Sequence, residues 1–207
     1  MEFKYLVPNS EIMATVKLEL ERLEILLKKS RWKLYFFVIA EHPEDNDKLV
    51  VTTIPAAGQS YFMLKKRSEN VVEFEPESID GGVEGLTILE REMPADRSLK
   101  VRLFLKHSRQ SARNVGNILG EVENELGGEV LGTVTNILGS ASPWLVVAKS
   151  AFKLVGNILS KIKDRDLGYL SLDEDFGAEF EGQKELDRIN QTTTGDAKLR
   201  WSWKIRK

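Results

Sequence analysis

The chain has 207 residues, 42% of them apolar and 30% charged, with 30 basic residues against 32 acidic for a net charge of −2. This length and apolar share support a buried core in one or two domains and exclude a disordered chain. The even charge excludes the overall electropositive footprint of a nucleic-acid binder, and the lack of cysteine excludes disulfides, thiol nucleophiles and cysteine-ligated metal centres.

The opening residues, MEFKYLVPNS, lack the basic start and apolar run of a signal peptide. Residence in the cytoplasm, or export without a cleavable leader, is therefore expected. No uninterrupted apolar run of roughly 20 residues predicts a membrane span.

Strand signals dominate the first half. Val16–Glu21 alternates with period two, and a slip at Arg22 predicts a β-bulge. Met13, Val16, Leu20, Leu23 and Leu27 also fit helical spacing, so a helix competes there with the favoured strand. Aromatic and β-branched residues make Trp32–Ile39 a strand. Leu49–Ile54 is a strand that stops at Pro55. Tyr61–Leu64 and Val71–Phe74 follow, joined by a turn at Arg67–Asn70, and Gly81-Gly82 reads as another turn. Ser98–Lys106 alternates, placing Leu99, Val101, Leu103 and Leu105 on one face.

Residues 108–163 lose the aromatics almost entirely and gain glycine, asparagine and helical spacing. Asn114 can cap a first helix with the stripe Val115, Ile118, Leu119, Val122 and Leu126, ended by Gly127-Gly128. Val130, Leu131, Val134, Ile137 and Leu138 predict a second short helix. Ser142-Pro143 opens a third, from Trp144 to about Lys163. Its lysines, Lys149, Lys153, Lys161 and Lys163, lie on the polar side. The triplet Asn-Ile-Leu recurs at 117, 136 and 157, which fits similar amphipathic helices better than a solenoid repeat. Late strands fall at Leu167–Leu172 and Lys198–Ile205. The last of these places Leu199, Trp201, Trp203 and Ile205 opposite a basic face. The predicted fold is mainly β with an α insertion. Residues 1–107 and 164–207 form an antiparallel β-sandwich of seven or eight strands, and 108–163 form a helical insertion.

Leu99–Leu105 and Asp164–Leu172 carry a resemblance to C2-like β-sandwich domains. The first is similar to the strand before that family's third apical loop. The second is similar to the segment that closes the loop, where an acidic residue, an apolar residue and a glycine precede a strand. Trp32–Ile39 would then follow the first apical loop. The resemblance implies that the helices occupy the third apical loop, at the end that in C2 domains meets calcium and phospholipid. It makes Asp164 and Asp166 the only candidate metal ligands. Ser30-Arg31-Trp32 stands where a further acidic residue is needed, and too few oxygens converge, so neither calcium nor any other cofactor is expected.

Neither His42 nor His107 sits in a metal or triad pattern, and Asp173-Glu174-Asp175 with Glu179 and Glu181 reads as a solvated acidic loop. No phosphate-binding loop, HExxH or EF-hand spacing occurs. An enzyme is not expected. The expectation is a binding module that engages a membrane surface or a protein partner. Trp144, Val147, Ala151, Phe152, Val155 and Ile158 would bury apolar surface there, aided by Lys149 and Lys153. The alternative is a structural or assembly subunit whose helices pair with copies of themselves. Gly116-xxx-Gly120 and Gly128-xxx-Gly132 would permit close helix approach. The basic C-terminal strand with its tryptophans reads as core plus a solvated face rather than a nucleic-acid site.

Overall fold

A computed structural model describes residues 14–28, 31–55, 62–65, 70–74, 86–109, 115–134, 144–177, 180 and 183–206. The turns expected at Arg67–Glu69 and Gly81-Gly82, the Asn114 cap and the Ser142-Pro143 start lie outside these residues. Strand pairing is antiparallel throughout, in two main sheets and a two-stranded ribbon.

The first sheet is organised around β1 (Thr15–Ile25). One edge of β1 pairs with the C-terminal β14 (Ala197–Arg206), and β14 pairs in turn with β13 (Glu185–Gln191). The other edge pairs with β6 (Leu86–Glu92) along its first half and with β5 (Val71–Glu73) beyond it. The β1–β14 register shifts between Leu20 and Arg22, where the alternation of the sequence slips. The helical spacing of 13–27 is therefore overridden: Leu18, Leu20 and Leu23 face a packed partner sheet, which rewards period two.

The second sheet is organised around β2 (Arg31–Glu41). β8 (Val101–His107) pairs with one edge, and β11 (Arg165–Ser171) lies beyond it. The other edge takes β4 (Phe62–Lys65) and β3 (Lys48–Ile54). Beyond β3 come β10 (Trp144–Ala148) and then β9 (Val130–Val134). A ribbon of β7 (Ser98–Leu99) and β12 (Glu174–Asp175) completes the set.

The architecture corrects the reading of 108–163. Of the two or three inserted helices expected, the first is present, α1 (Val115–Leu126), which gives way to a 3-10 turn at Gly127–Glu129. The stripe from Val130 onward begins as strand β9. The third helix is shorter than expected: Trp144–Ala148 is strand β10, a 3-10 turn spans Lys149–Ala151, and only α2 (Phe152–Lys161) is helical. The excursion therefore leaves β8, crosses the outer face of the second sheet as α1, adds two strands to the far edge, and returns across the same face as α2 to β11. It is a layer and an edge rather than a projection from the rim.

Two apolar cores result. Trp32, Leu34, Phe36 and Val38 of β2 face the first sheet, where they meet Leu18, Leu20, Trp201 and Trp203. Tyr35, Phe37 and Ile39 face the other way and meet Ile118, Leu119 and Val122 of α1 and Val155, Ile158 and Leu159 of α2. β2 is thus buried on both faces, which is why its sequence is an unbroken apolar run rather than an alternation. The Asn-Ile-Leu triplets at 117 and 157 lie in the two helices and bury the same Ile and Leu positions.

Gly168 in β11 has φ +89°, and an added Cβ would lie 2.8 Å from the Thr194 backbone nitrogen. It lets the edge of the second sheet approach the β13–β14 turn, which Thr194 ties down by donating from its hydroxyl to the Leu167 carbonyl at 2.8 Å. Gly120 has no such role: a Cβ there meets nothing within 4 Å, so it marks no close helix approach. Gly128 and Gly132 lie outside the helices, in the 3-10 turn and β9.

Candidate functional site

The residues expected to make external contact divide into two groups. Trp144, Val147, Ala151, Val155 and Ile158 are buried. Trp144 packs in the core between the sheets, and the other four pack under the helices. Burying them within the fold already satisfies their apolar surface, so they offer none to a membrane while α2 is seated. Lys149, Phe152 and Lys153 are exposed. These three come together at the start of α2 around an open cavity of about 520 Å³.

The cavity forms where the 3-10 turn and the first turn of α2 stand off the second sheet. Its floor is apolar, from Ile39 of β2 and Leu49 of β3. Its rim is cationic: Lys149 and Lys153 on the helix side, Lys100 and Arg102 on the sheet side. Phe152 lies at its edge, 40% exposed. Among the described residues, Glu41 is the single acid lining it.

Two of the cations are held in place. Lys149 donates from Nζ to the Asn46 carbonyl at 3.0 Å, and its Nζ lies 4.0 Å from Glu41. Its backbone N–H donates to the Asp47 carbonyl at 2.8 Å, tying the turn to the β2–β3 loop. Arg102 pairs with Asp173, whose carboxylate also accepts the Val101 N–H at 3.0 Å and the Ser171 hydroxyl at 2.9 Å. The ammonium groups of Lys100 and Lys153 meet no acid among the described residues. Glu41 in turn accepts the Lys100 backbone N–H at 3.2 Å.

The far end of α2 is pinned instead. Buried Lys106 donates to the Leu159 carbonyl at 3.2 Å, near the helix C-terminus, and pairs with Asp166 at 3.5 Å. Asp164, also buried, accepts the Tyr35 hydroxyl at 2.9 Å and the Arg109 N–H at 3.2 Å. Asp166 accepts the Gly168 N–H at 3.0 Å. The two aspartates named as candidate metal ligands thus use their oxygens within the fold, Asp164 on Tyr35 and Arg109, and Asp166 on Lys106 and at the register shift inside β11. Glu21, Glu185 and Asp187 approach one another on the other sheet. Arg200 bridges that group, to Glu21 at 2.9 Å and to Asp187 at 2.6 Å, so the acids already have a cation.

Two cations of the basic strip of β14 are paired within the fold. Arg200 pairs as above, and Lys204 pairs with Glu19 at 2.7 Å and Glu185 at 3.1 Å. Trp201 and Trp203 are core, as the alternation requires. His107 is buried, stacked edge-on to Trp32, with its Nδ1 accepting the Lys33 N–H at 3.1 Å. His42 accepts the Glu44 N–H at 3.1 Å within its loop. Within the acidic run, Glu174 is buried against Arg188, and Asp175 accepts the Gly177 N–H at 2.9 Å.

Sequence reasoning missed Ile39, Glu41, Leu49, Lys100 and Arg102 as site residues. Lys100 and Arg102 stand opposite the apolar face of β7–β8, which marks them only as outward-facing. Nothing local in the sequence brings them to Lys149. No helix among the described residues is long and apolar enough to cross a membrane. No protein-family model matches the chain, and no curated protein matches it.

Proposed function

We propose that the chain is a non-enzymatic, C2-like β-sandwich module that docks on an anionic membrane surface with the corner of its helical layer where α2 begins. The observation that carries this reading is the basic rim beside exposed Phe152: Lys100 and Lys153 meet no acid among the described residues, while Arg102 is paired with Asp173 and Lys149 lies 4.0 Å from Glu41. The outward side of α2 adds Lys161 and carries no acid. Attraction of these cations to acidic headgroups, with Phe152 entering the interface, replaces the broad apolar stripe that the sequence alone suggests. The C2 likeness is supported by the adjacency of β8 and β11 around the helical segment, although that segment lies across a sheet face instead of at an apex.

Flotation with vesicles tests this. Vesicles of phosphatidylcholine with phosphatidylserine should carry the protein at low salt, and pure phosphatidylcholine should not. Each basic residue near such a surface contributes about 1 kcal/mol. Reversing two charges in Lys149→Glu/Lys153→Glu should therefore weaken association more than about tenfold. Absence of flotation at low salt by the unaltered protein would remove the reading.

A second reading has its own observation. Glu121, Glu123 and Glu125 face outward from α1, while Lys153 and Lys161 face outward from α2. Glu121 and Glu125 share a groove with Lys161, and a two-fold axis through this layer would bring Lys153 of each copy toward the acids of the other. Light scattering after size exclusion should then report a dimer that dissociates in high salt. A strict monomer at high concentration would remove this alternative.

A further inference from the structure

We propose that the cavity beside the start of α2 is a binding site for one amphipathic anion, an apolar body carrying a carboxylate or phosphate monoester. This deepens the membrane-docking reading, on which it rests, by naming what the same rim holds: a single lipid-like molecule rather than only a charged surface.

Size comes first. A cavity of about 520 Å³ falls within the roughly 300–1,000 Å³ that holds a whole small-molecule ligand, whereas surface attraction alone needs no cavity. Its lining also separates by polarity. Ile39 and Leu49, 2% and 6% exposed, close the floor, and exposed Phe152 supplies the apolar edge that an entering apolar body would cover. The cations stand only at the rim, where a headgroup would lie.

The rim charges have complementary duties. Lys149 is held by the Asn46 carbonyl and Arg102 by Asp173, so Lys149 presents its charge, and Arg102 its remaining N–H donors, at low ordering cost. Lys100 and Lys153, whose ammonium groups meet no acid among the described residues, are free to close on an anion. Asp173 and Glu41 offset Arg102 and Lys149, and Lys100 and Lys153 remain in excess, so a cationic or neutral amphiphile would leave those two charges uncompensated. Ser150, also at the mouth, is exposed and makes space that a larger side chain would fill.

The test is titration calorimetry with dodecanoate and dodecyl phosphate below their micelle-forming concentrations. Acetate, inorganic phosphate and dodecyltrimethylammonium serve as controls, and flotation is run in parallel. One equivalent of dodecanoate or dodecyl phosphate should bind, and the preferred of the two identifies the headgroup. The tailless anions and the cationic amphiphile should not bind measurably. Lys149→Glu/Lys153→Glu should weaken binding about tenfold or more, as expected for lost charge-assisted contacts. Ser150→Trp should abolish it with unchanged thermal melting and retained flotation, because the surface charges remain. Flotation without saturable binding of either anionic amphiphile would overturn the cavity assignment alone. Loss of both would overturn it together with the docking reading. Equal binding of dodecyltrimethylammonium, or binding indifferent to Ser150→Trp, would also overturn it.

Discussion

Trp144→Ala should destabilise the protein by about 3–5 kcal/mol, the usual cost of removing a large aromatic from a packed core. Trp144 is 0% exposed and projects from β10 into the core between the two sheets, as does Val146. Leu145 and Val147 project the other way, under the helices. The core companions of Trp144 by strand register, Val38 and Val50 among them, are themselves 0% exposed, so the loss of the indole leaves a cavity. Denaturant or thermal unfolding would register the change directly. A tryptophan at the exposed start of a surface helix behaves differently: its loss alters stability by a few tenths of a kcal/mol and reduces vesicle binding. Thus a destabilised variant that still floats fits a strand. An undisturbed melt with lost flotation would mean that 144–148 is not a sheet strand.

That segment also shows where sequence reasoning reaches its limit. Trp144-Leu145-Val146-Val147-Ala148 is continuously apolar because both faces of β10 are covered, and a doubly covered strand has no period of its own. Trp144, Val147, Ala148, Ala151 and Val155 then fall at helical spacing, and the real helix downstream extends the pattern backward. β2 has the same two-sided burial but is rich in aromatics, so its residue types identified it despite the missing alternation. β1, β8 and β14 alternate an apolar face with a largely polar or charged one and were legible, down to the slip at Arg22.

β13 escaped the sequence reading for the opposite reason. β13 is exposed at most positions along an edge of its sheet, and Ile189, its one large exposed apolar residue, faces solvent. Such a strand is recruited by the ladder with β14 rather than by its own pattern. The cavity is still less legible. Its lining comes from the end of β2, the start of β3, the β7–β8 bend and the turn before α2, so four separate stretches must fold before it exists. From the sequence, Lys149, Phe152 and Lys153 could be nominated one at a time, but not the apolar floor beneath them.

The second large effect is expected on the other sheet. Glu19 is 0% exposed and lies on β1 between Lys17, itself buried, and Lys204 of β14. Removing one member of a buried ion group leaves the others charged without compensation, which costs about 3–5 kcal/mol. Glu19→Gln should lose about that much, because Lys17 is then left without this carboxylate while Lys204 retains Glu185. Replacing Lys17, Glu19 and Lys204 together with Met, Leu and Met should restore most of the loss, since a well-packed apolar set avoids desolvating charge. The pH dependence separates this from simple packing. Burial pushes the Glu19 carboxyl up, but the Lys17 and Lys204 ammoniums outweigh it and hold the carboxyl below its ordinary 4.5. A depressed folded value means that the contribution is complete above 4.5 and is lost as pH falls through the folded value. Burial likewise pushes Lys204 down, and Glu19 and Glu185 outweigh it and hold it above 10.5. That contribution is complete below 10.5 and is lost as pH rises through the raised folded value. Thermal melting of the unaltered protein should therefore fall off on both sides of a broad neutral plateau. In Glu19→Gln the whole curve should drop, and its acid limb should flatten. A variant that melts like the unaltered protein at neutral pH, or keeps the full acid limb, would show that this carboxylate does not hold the two strands together.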